Sequence, residues 1–202
     1  PPAAVYRGET TGTGPLGDPL GETVPGPVIP KAGADITTDH IIPADPDIIS
    51  LWSDPQTAAD YTLIRVDEAF PEKAREAGGG WIVAGENWGQ GSSRENAALE
   101  LAVLDVHGVI AKSFARIHFE SLINFGVVPL RLADPAVYDR LDEGRDLDVV
   151  GNVADQIEGG VEALTVAVDG DWTFGVVINL TPDQRATLTA GGKLAALQAA
   201  NE

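Results

Sequence analysis

Residues 85–96, Gly-Glu-Asn-Trp-Gly-Gln-Gly-Ser-Ser-Arg-Glu-Asn, concentrate the groups of this sequence that can do chemistry on an anion. The glycines permit tight turns and a close approach of the backbone to a ligand, while Ser92 and Ser93 supply hydroxyl groups. Arg94 carries a guanidinium whose fork of donors suits a carboxylate. An apolar helical pattern follows at residues 97–104, and the free N–H groups of a helix N-terminus favour an anion. The segment therefore predicts an anion site with a hydroxyl group at its centre.

A helix cap is the other interpretation of the same residues. Ser92 and Glu95 have the spacing of a capping box. In such a box the serine hydroxyl accepts from the backbone N–H of the glutamate, and the glutamate side chain accepts from the backbone N–H of the serine. The segment is neither a Rossmann fingerprint nor a Walker loop, because it contains no G-x-G-x-x-G and no G-K-S/T. It also lacks the G-x-S-x-G elbow of serine hydrolases. Chemistry alone leaves the cap and the anion site both open.

The string of residues 85–95 resembles the signature of the swivelling domain of the aconitase and isopropylmalate dehydratase superfamily. Further stretches resemble family segments in the same order: residues 35–43 with Thr-Asp-His, residues 109–118, residues 124–130, and residues 180–182 and 190–192 of an archaeal or bacterial-type C-terminal helix. The similarity runs from about residue 33 to residue 197. Ordered motifs of this kind identify the superfamily more specifically than they identify one substrate.

The resemblance implies a reversible loss of water from a β-hydroxy acid, with Ser92 as the catalytic base. An alkoxide at Ser92 would take a proton next to a carboxylate, which requires a positive and desolvated pocket. The implied substrate-binding residues are Ser93, Arg94, Gln90 and Asp39, and the implied supporting residues are His40, Arg116 and His118. No residue of this chain is expected to bind a metal.

Two positions differ from the family pattern. Many family aconitases carry an arginine that grips a substrate carboxylate near the position of Trp52, whereas the closest arginine here is Arg65. Asn96 stands where the family usually has histidine, and we interpret it as a supporting contact. The first reading is an aconitase-like enzyme acting on citrate and isocitrate in the tricarboxylic acid cycle. The alternative is the small subunit of 3-isopropylmalate dehydratase or a related dehydratase.

Composition constrains the partners. The 202 residues include 31 acids against 13 lysines and arginines, for a formal charge of −18, which disfavours binding to nucleic acid. No cysteine is present, so the 4Fe–4S cluster that the family uses is expected on a partner domain or large subunit. No apolar run is long enough to span a bilayer and no signal peptide is visible, which predicts a cytoplasmic protein without membrane contact. A non-catalytic anion-binding or regulatory module with the same fold is the alternative of another class.

The apolar patterns predict an α/β domain with a partly parallel sheet, flanking helices, and a C-terminal β-hairpin plus helix. The family resemblance implies that it is a swivelling β/β/α domain. Residues 1–32 are predicted to form a Pro/Gly-rich linker or arm, and residues 33–202 to form the swivel domain. The arm is either a poorly ordered tail or, as the family resemblance favours, a connector that wraps the cluster-bearing domain. Predicted strands cover residues 81–84, 109–114, 127–132 and 146–150, and predicted helices cover residues 70–77, 93–106, 116–125 and 134–141. Residues 63–67 read as a short strand or a helix start, and Pro129 predicts a bulge or an edge position.

Loops and turns complete the prediction. His107 and Gly108 are expected at the C-terminus of the helix, with His107 facing the helix dipole. Asp169-Gly170 between alternating segments predicts a hairpin with a two-residue type I′ turn. Thr181 is expected to cap the last helix, which Gly191 and Gly192 interrupt. Strand–helix–strand order puts the loop after residue 112 at the same sheet end as the site loop, where ligands of α/β sheets gather.

Overall fold

Seven strands close into a barrel in the computed structural model, which describes residues 17–200. The strands are β1 Gly26–Ala32, β2 Gly80–Ala84, β3 Val106–Ala111, β4 Val128–Leu132, β5 Asp146–Val149, β6 Ala163–Val168 and β7 Trp172–Val177. The helices are α1 Thr38–Ile41, α2 Pro46–Ile49, α3 Pro55–Ala58, α4 Phe70–Ala77, α5 Asn96–Val103, α6 Arg116–Asn124, α7 Val153–Glu158, α8 Pro182–Thr189 and α9 Lys193–Ala199. Two 3₁₀ segments, Ala59–Tyr61 and Pro135–Arg140, lie among them.

The barrel order is β1-β2-β3-β4-β7-β6-β5, with β5 paired back to β1. Strands β1 to β4 run parallel to one another, and the remaining pairings are antiparallel. Parallel pairing requires crossovers, which α5 and α6 provide after β2 and β3. The α/β prediction with a partly parallel sheet is confirmed, and the closing of that sheet into a barrel is added by the structure.

Two apolar clusters occupy the two faces of the parallel strands. The first contains residues from all seven strands and fills the barrel, with Trp81 and Val83 of β2 among them. The second packs α4 and α5 against the outer face, with Ile82 and Ala84 of β2. The side chains of a strand point alternately to its two faces, and both faces of β2 are covered by an apolar cluster. Every residue of β2 is therefore buried.

The C-terminal elements follow the prediction closely. Asp169 and Gly170 adopt left-handed φ values of 50° and 73°, and the Asp171 N–H donates to the Val168 carbonyl at 2.9 Å. Val168 is in register with Trp172, so three residues rather than two separate the paired ends. Thr181 caps α8 in a capping box with Gln184, and Pro182 is the first residue of that helix.

The end of α5 and the start of β3 were predicted wrongly. The prediction placed the end of the helix at His107 and Gly108. The helix ends at Val103 instead, and Asp105 follows it with a left-handed φ of 54°. His107 and Gly108 therefore lie inside β3, and His107 is not a dipole partner. Gly108 is needed for packing, since a Cβ there would lie 2.3 Å from the Val128 carbonyl oxygen.

Other boundaries also moved. Residues 63–66 form turns, and Asp67 also lies in neither a strand nor a helix. Pro129 is in register with Val109 of β3, whereas β4 pairs with β7 only at Arg131 and Leu132. The proline therefore lies in the part of β4 that has a neighbouring strand on one side only. Residues 1–16 of the predicted arm lie outside the described residues, while Gly26–Ala32 is a barrel strand rather than linker. Its proline at position 30 falls where the register between β1 and β2 shifts.

No helix among residues 17–200 is long and apolar enough to cross a membrane.

Candidate functional site

A cleft of about 230 Å³ opens at the carboxyl ends of the parallel strands. The loop after β2 and the loop after β3 meet there, since Trp88 bridges to Phe114 and the Ala115 N–H donates to the Trp88 carbonyl at 2.8 Å. The cleft is lined by Thr38, Gly89, Gly91, Ser92, Ser93, Arg94, Ala115, Arg116, Ile117, His118 and Ser121. The structure thus brings together Ser92, Ser93 and Arg94 with Arg116 and His118, which sequence reasoning had proposed separately.

The residues around Thr38 hold the site loop in place. The Thr38 N–H donates to the Gln90 carbonyl at 2.9 Å, and its hydroxyl donates to the Ser92 carbonyl at 3.1 Å. The Gly89 N–H donates to the Ile36 carbonyl at 2.7 Å. Sequence reasoning missed Thr38, although it directly precedes Asp39 in the Thr-Asp-His motif.

Ser92 is not a helix cap. Helix α5 begins at Asn96, its N-cap residue is Glu95, and no side-chain cap hydrogen bond is present. The capping-box interpretation is therefore wrong, because the helix starts four residues after Ser92. The Ser92 hydroxyl makes no hydrogen bond to any described residue, and Ser92 is exposed in the cleft. The desolvated pocket expected around an alkoxide is thus not supplied by residues 17–200 on their own.

Arg94 is oriented by Asp39. Arg94 Nη1 donates to Asp39 Oδ1 at 2.9 Å and to the Ile42 carbonyl at 3.3 Å. Asp39 also pairs with Arg65, whose other nitrogen Nη2 contacts Asp45 Oδ2 at 2.8 Å. The hydrogen bond from Arg94 is the main reason that the pKa of Asp39 is lowered, with the Ala44 N–H and Arg65 also contributing. Asp39 is therefore in a position to orient Arg94 and does not itself line the cleft, so its predicted role in binding the substrate stays a prediction.

His40 and Gln90 make hydrogen bonds that hold the local backbone. His40 Nδ1 accepts from the Thr37 N–H at 3.0 Å, and the Thr37 hydroxyl accepts from the His40 N–H, which completes a capping box on α1. Gln90 is exposed and joins the loop to α1 through its backbone carbonyl. Neither residue lines the cleft, so their predicted roles in supporting or binding a substrate stay predictions.

Arg116 and His118 come from the first turn of α6. Arg116 is exposed, whereas His118 is only 2% exposed. Burial lowers the pKa of His118 to about 4, so its imidazole is neutral near pH 7. Neither ring nitrogen has a hydrogen-bond partner among the described residues.

The charge of the cleft is opposite to that of the chain. Its lining includes the arginines Arg94 and Arg116 and no Asp or Glu, although the whole sequence carries a formal charge of −18. Acids outnumber basic residues by 31 to 13 in the sequence, so an acid-free lining with two arginines is a specific local feature. Such a lining favours a small anionic ligand.

A buried polar cluster lies behind the site loop. Asn96 Nδ2 donates to the Trp52 carbonyl at 3.4 Å and to Glu100 Oε1 at 3.3 Å, which agrees with its interpretation as a supporting contact. Glu100 is fully buried, and its Oε2 has no partner among the described residues. Burial raises the pKa of Glu100 to about 7, and the negative charge of Asp54 acts in the same direction.

This carboxyl group predicts a pH-dependent stability. The unfolded chain loses the Glu100 proton near pH 4.5, while the folded chain keeps it until about pH 7. Between these values the folded state binds more protons, so this group makes the free energy of unfolding fall as pH rises. We expect Glu100→Gln to remove that contribution, so that its melting temperature declines less than that of the wild type over this range. Thermal unfolding followed by circular dichroism measures the difference, and equal slopes for the two proteins would contradict the assignment.

Comparisons with known proteins decide the family. Residues 58–135 match the family described as Aconitase C-terminal domain, a span that includes the site loop and α6. The chain is 42% identical over 120 residues to the methanogen homoaconitase small subunit of Methanocaldococcus jannaschii, covering 59% of this chain and 64% of that protein. It is also 42% identical over 122 residues to the 3-isopropylmalate dehydratase small subunit of Syntrophus aciditrophicus, covering 60% of this chain and 70% of that protein. The chain belongs to the family of aconitase C-terminal domains.

A solved structure of the family agrees with the fold. The crystal structure of 3-isopropylmalate dehydratase from Methanocaldococcus jannaschii superposes with a TM-score of 0.71 at 29% identity, covering 89% of this chain and 95% of that one. The recognition of the superfamily from the ordered motifs is thus confirmed. The first reading, an enzyme of citrate in the tricarboxylic acid cycle, is not supported by these relatives, and the alternative of a dehydratase small subunit fits them better.

Proposed function

We propose that the chain is the small-subunit half of a hydro-lyase of the 3-isopropylmalate dehydratase and homoaconitase type. The observation that carries the proposal is the cleft. It combines Arg94 and Arg116 with the exposed hydroxyl group of Ser92, which does not cap a helix, and its lining lacks acidic residues. A di- or tricarboxylate with a β-hydroxyl group is the substrate class that this charge and size support. The small-subunit relatives support the same assignment.

Ser92 is the proposed base. Its Oγ, as an alkoxide, takes the proton from the carbon next to a carboxylate and becomes a neutral hydroxyl group. The electron pair of that C–H bond forms the C=C bond, the C–O bond of the neighbouring carbon breaks, and the departing hydroxide becomes water by accepting a proton from solvent. Ser92 then returns its own proton to solvent, which restores the alkoxide. The positive charge of Arg94 and Arg116 and the free N–H groups of α6 favour the anionic form of the substrate and of the base. Ser93 donates a hydrogen bond to the carboxylate that Arg94 holds.

A partner must complete the site. Residues 17–200 contain no group of three or more His, Cys, Asp or Glu side chains arranged to hold a metal ion, and the sequence contains no cysteine. The residues of this chain therefore do not fit a 4Fe–4S cluster, and a cluster-bearing large subunit or domain is the proposed partner. Its closure over the exposed Ser92 would exclude water and supply the desolvation that an alkoxide needs. A cytoplasmic location is part of the same proposal.

The proposal is tested by reconstitution. The chain is co-expressed with the large-subunit homologue from the same source, and the anaerobically purified complex is assayed with 3-isopropylmalate and with citrate. We expect turnover of 3-isopropylmalate, measured by the ultraviolet absorbance of the unsaturated product, and little with citrate. A complex that binds these acids without turning over either of them would favour the anion-binding module instead.

A further inference from the structure

Helix α6 presents an unused set of donors to the cleft. Its N-cap residue, Ala115, makes no side-chain cap hydrogen bond. The N–H groups of Arg116, Ile117 and His118 make no hydrogen bond to any described residue. All four residues line the cleft beside Ser92 and Arg94. An uncapped first turn carries the partial positive charge of the helix dipole and is a place where an anion binds.

His118 is a second and independent sign of a ligand at this position. His118 and Gly89 both line the cleft and pack against each other: a Cβ at position 89 would lie 2.2 Å from His118 Cδ2, so glycine at 89 makes room for the ring. A neutral imidazole always carries one N–H donor, yet both ring nitrogens lack a partner among the described residues and are buried. A buried donor without a partner is unfavourable, because it has lost its hydrogen bonds to water and gained none in the protein. Both nitrogens are closed off by the described residues, so a ligand oxygen in the cleft that His118 lines would satisfy the donor once the ring turns toward it.

Arg116 is available, unlike the other arginines near the site. Arg94 is held by Asp39, and Arg65 is held by Asp39 and Asp45. Arg116 is exposed on the cleft and makes no ion pair with any residue in the range 17–200. The segment of residues 44–62 supplies no arginine for a second carboxylate. Arg116 is therefore the second cation that a doubly charged substrate would meet in this cleft.

We propose that the first turn of α6, together with Arg116 and His118, binds the second carboxylate of the substrate, while Arg94 binds the first. The assignment rests on the proposed function, since it names a subsite within the same cleft. It makes the enzyme selective for dicarboxylates, because an acid with one carboxylate leaves either Arg94 or the α6 donors without a substrate carboxylate to bind.

Direct binding to the full chain tests this subsite without requiring turnover. Two-dimensional amide NMR spectra, with histidine ring signals, are recorded during a titration with sodium malonate and, at matched ionic strength, with sodium chloride. We expect saturable shifts of the amides of residues 116–118 and of the His118 ring with malonate only. Arg116→Ala should weaken this binding about 10- to 100-fold, as expected for a lost charge-assisted hydrogen bond worth roughly 1.5–3 kcal/mol.

Arg131→Ala is the matched control. Arg131 is an exposed arginine of β4 that does not line the cleft, so its loss changes the net charge equally. The subsite is overturned if the α6 signals do not respond, or if Arg131→Ala weakens binding as much as Arg116→Ala. Turnover by the reconstituted complex is a separate measurement. If the complex is active but the amide signals of residues 116–118 do not shift with malonate, only the subsite is overturned. If these signals shift but the complex is inactive, only the proposed reaction is overturned.

Discussion

Ser92→Ala in the reconstituted complex is expected to lower turnover by about 10³- to 10⁴-fold, near the upper limit of what general base catalysis contributes. The loss should appear in kcat, because the proton is taken only during the reaction and carboxylate binding through Arg94 remains. The structure indicates that the fold survives, since the Ser92 hydroxyl makes no hydrogen bond to a described residue. Only its backbone carbonyl is used, as the acceptor for Thr38. Steady-state rates with 3-isopropylmalate and the melting temperature of the isolated chain are the two measurements.

Ser93→Ala is the control for this prediction. The two serines are adjacent, both are exposed, and both line the cleft, so the substitutions remove the same atom from neighbouring positions. Ser93 is assigned a hydrogen bond to the substrate, and its loss should raise KM about 10-fold or less, which matches one hydrogen bond of roughly 1 kcal/mol. Equal kcat values for Ser92→Ala and wild type would remove Ser92 from the role of base.

Helix α4 and the segments that line the site were predictable because their signals are local. Helix α4 has the predicted bounds, Phe70–Ala77, since Pro71 opens it and a glycine with a left-handed φ of 67° closes it at position 78. The first turn of α6 and the loop of Ser92 to Arg94 were also correctly placed at one end of the parallel strands. In each case a short run of residues determines the conformation that was predicted.

Closure of the barrel was not predictable from such signals. It depends on pairing of β1 with β5 and of β4 with β7, between segments far apart in the sequence. Strand β1 carries two prolines, which by composition alone favoured a linker. Which arginines pair with Asp39 was not predictable for a similar reason. Its contacts with Arg94 and Arg65 join residues 55 and 26 positions away along the chain.

Arg94→Ala is expected to lower kcat/KM of the complex by about 10²- to 10⁴-fold, because two charge-assisted hydrogen bonds to a carboxylate are each worth roughly 1.5–3 kcal/mol. Arg94→Lys should recover only part of this loss, since an ammonium group keeps the charge but lacks the planar fork. Stability should change little, because Arg94 is 20% exposed and its partner Asp39 is 40% exposed, and such pairs contribute about 1 kcal/mol or less.

Asp39→Asn separates the positioning of Arg94 from its charge. The amide retains the shape of Asp39 but no longer attracts Arg94 and Arg65, so Arg94 is held less well while its charge and the cleft lining are unchanged. We expect kcat/KM to fall about 10-fold, which is the effect of roughly 1.4 kcal/mol. Adding Asp39→Asn to Arg94→Ala should then produce no further loss, because the residue that Asp39 orients is already gone. Independent, additive losses in the double variant would show that Asp39 contacts the substrate itself, as the sequence first suggested.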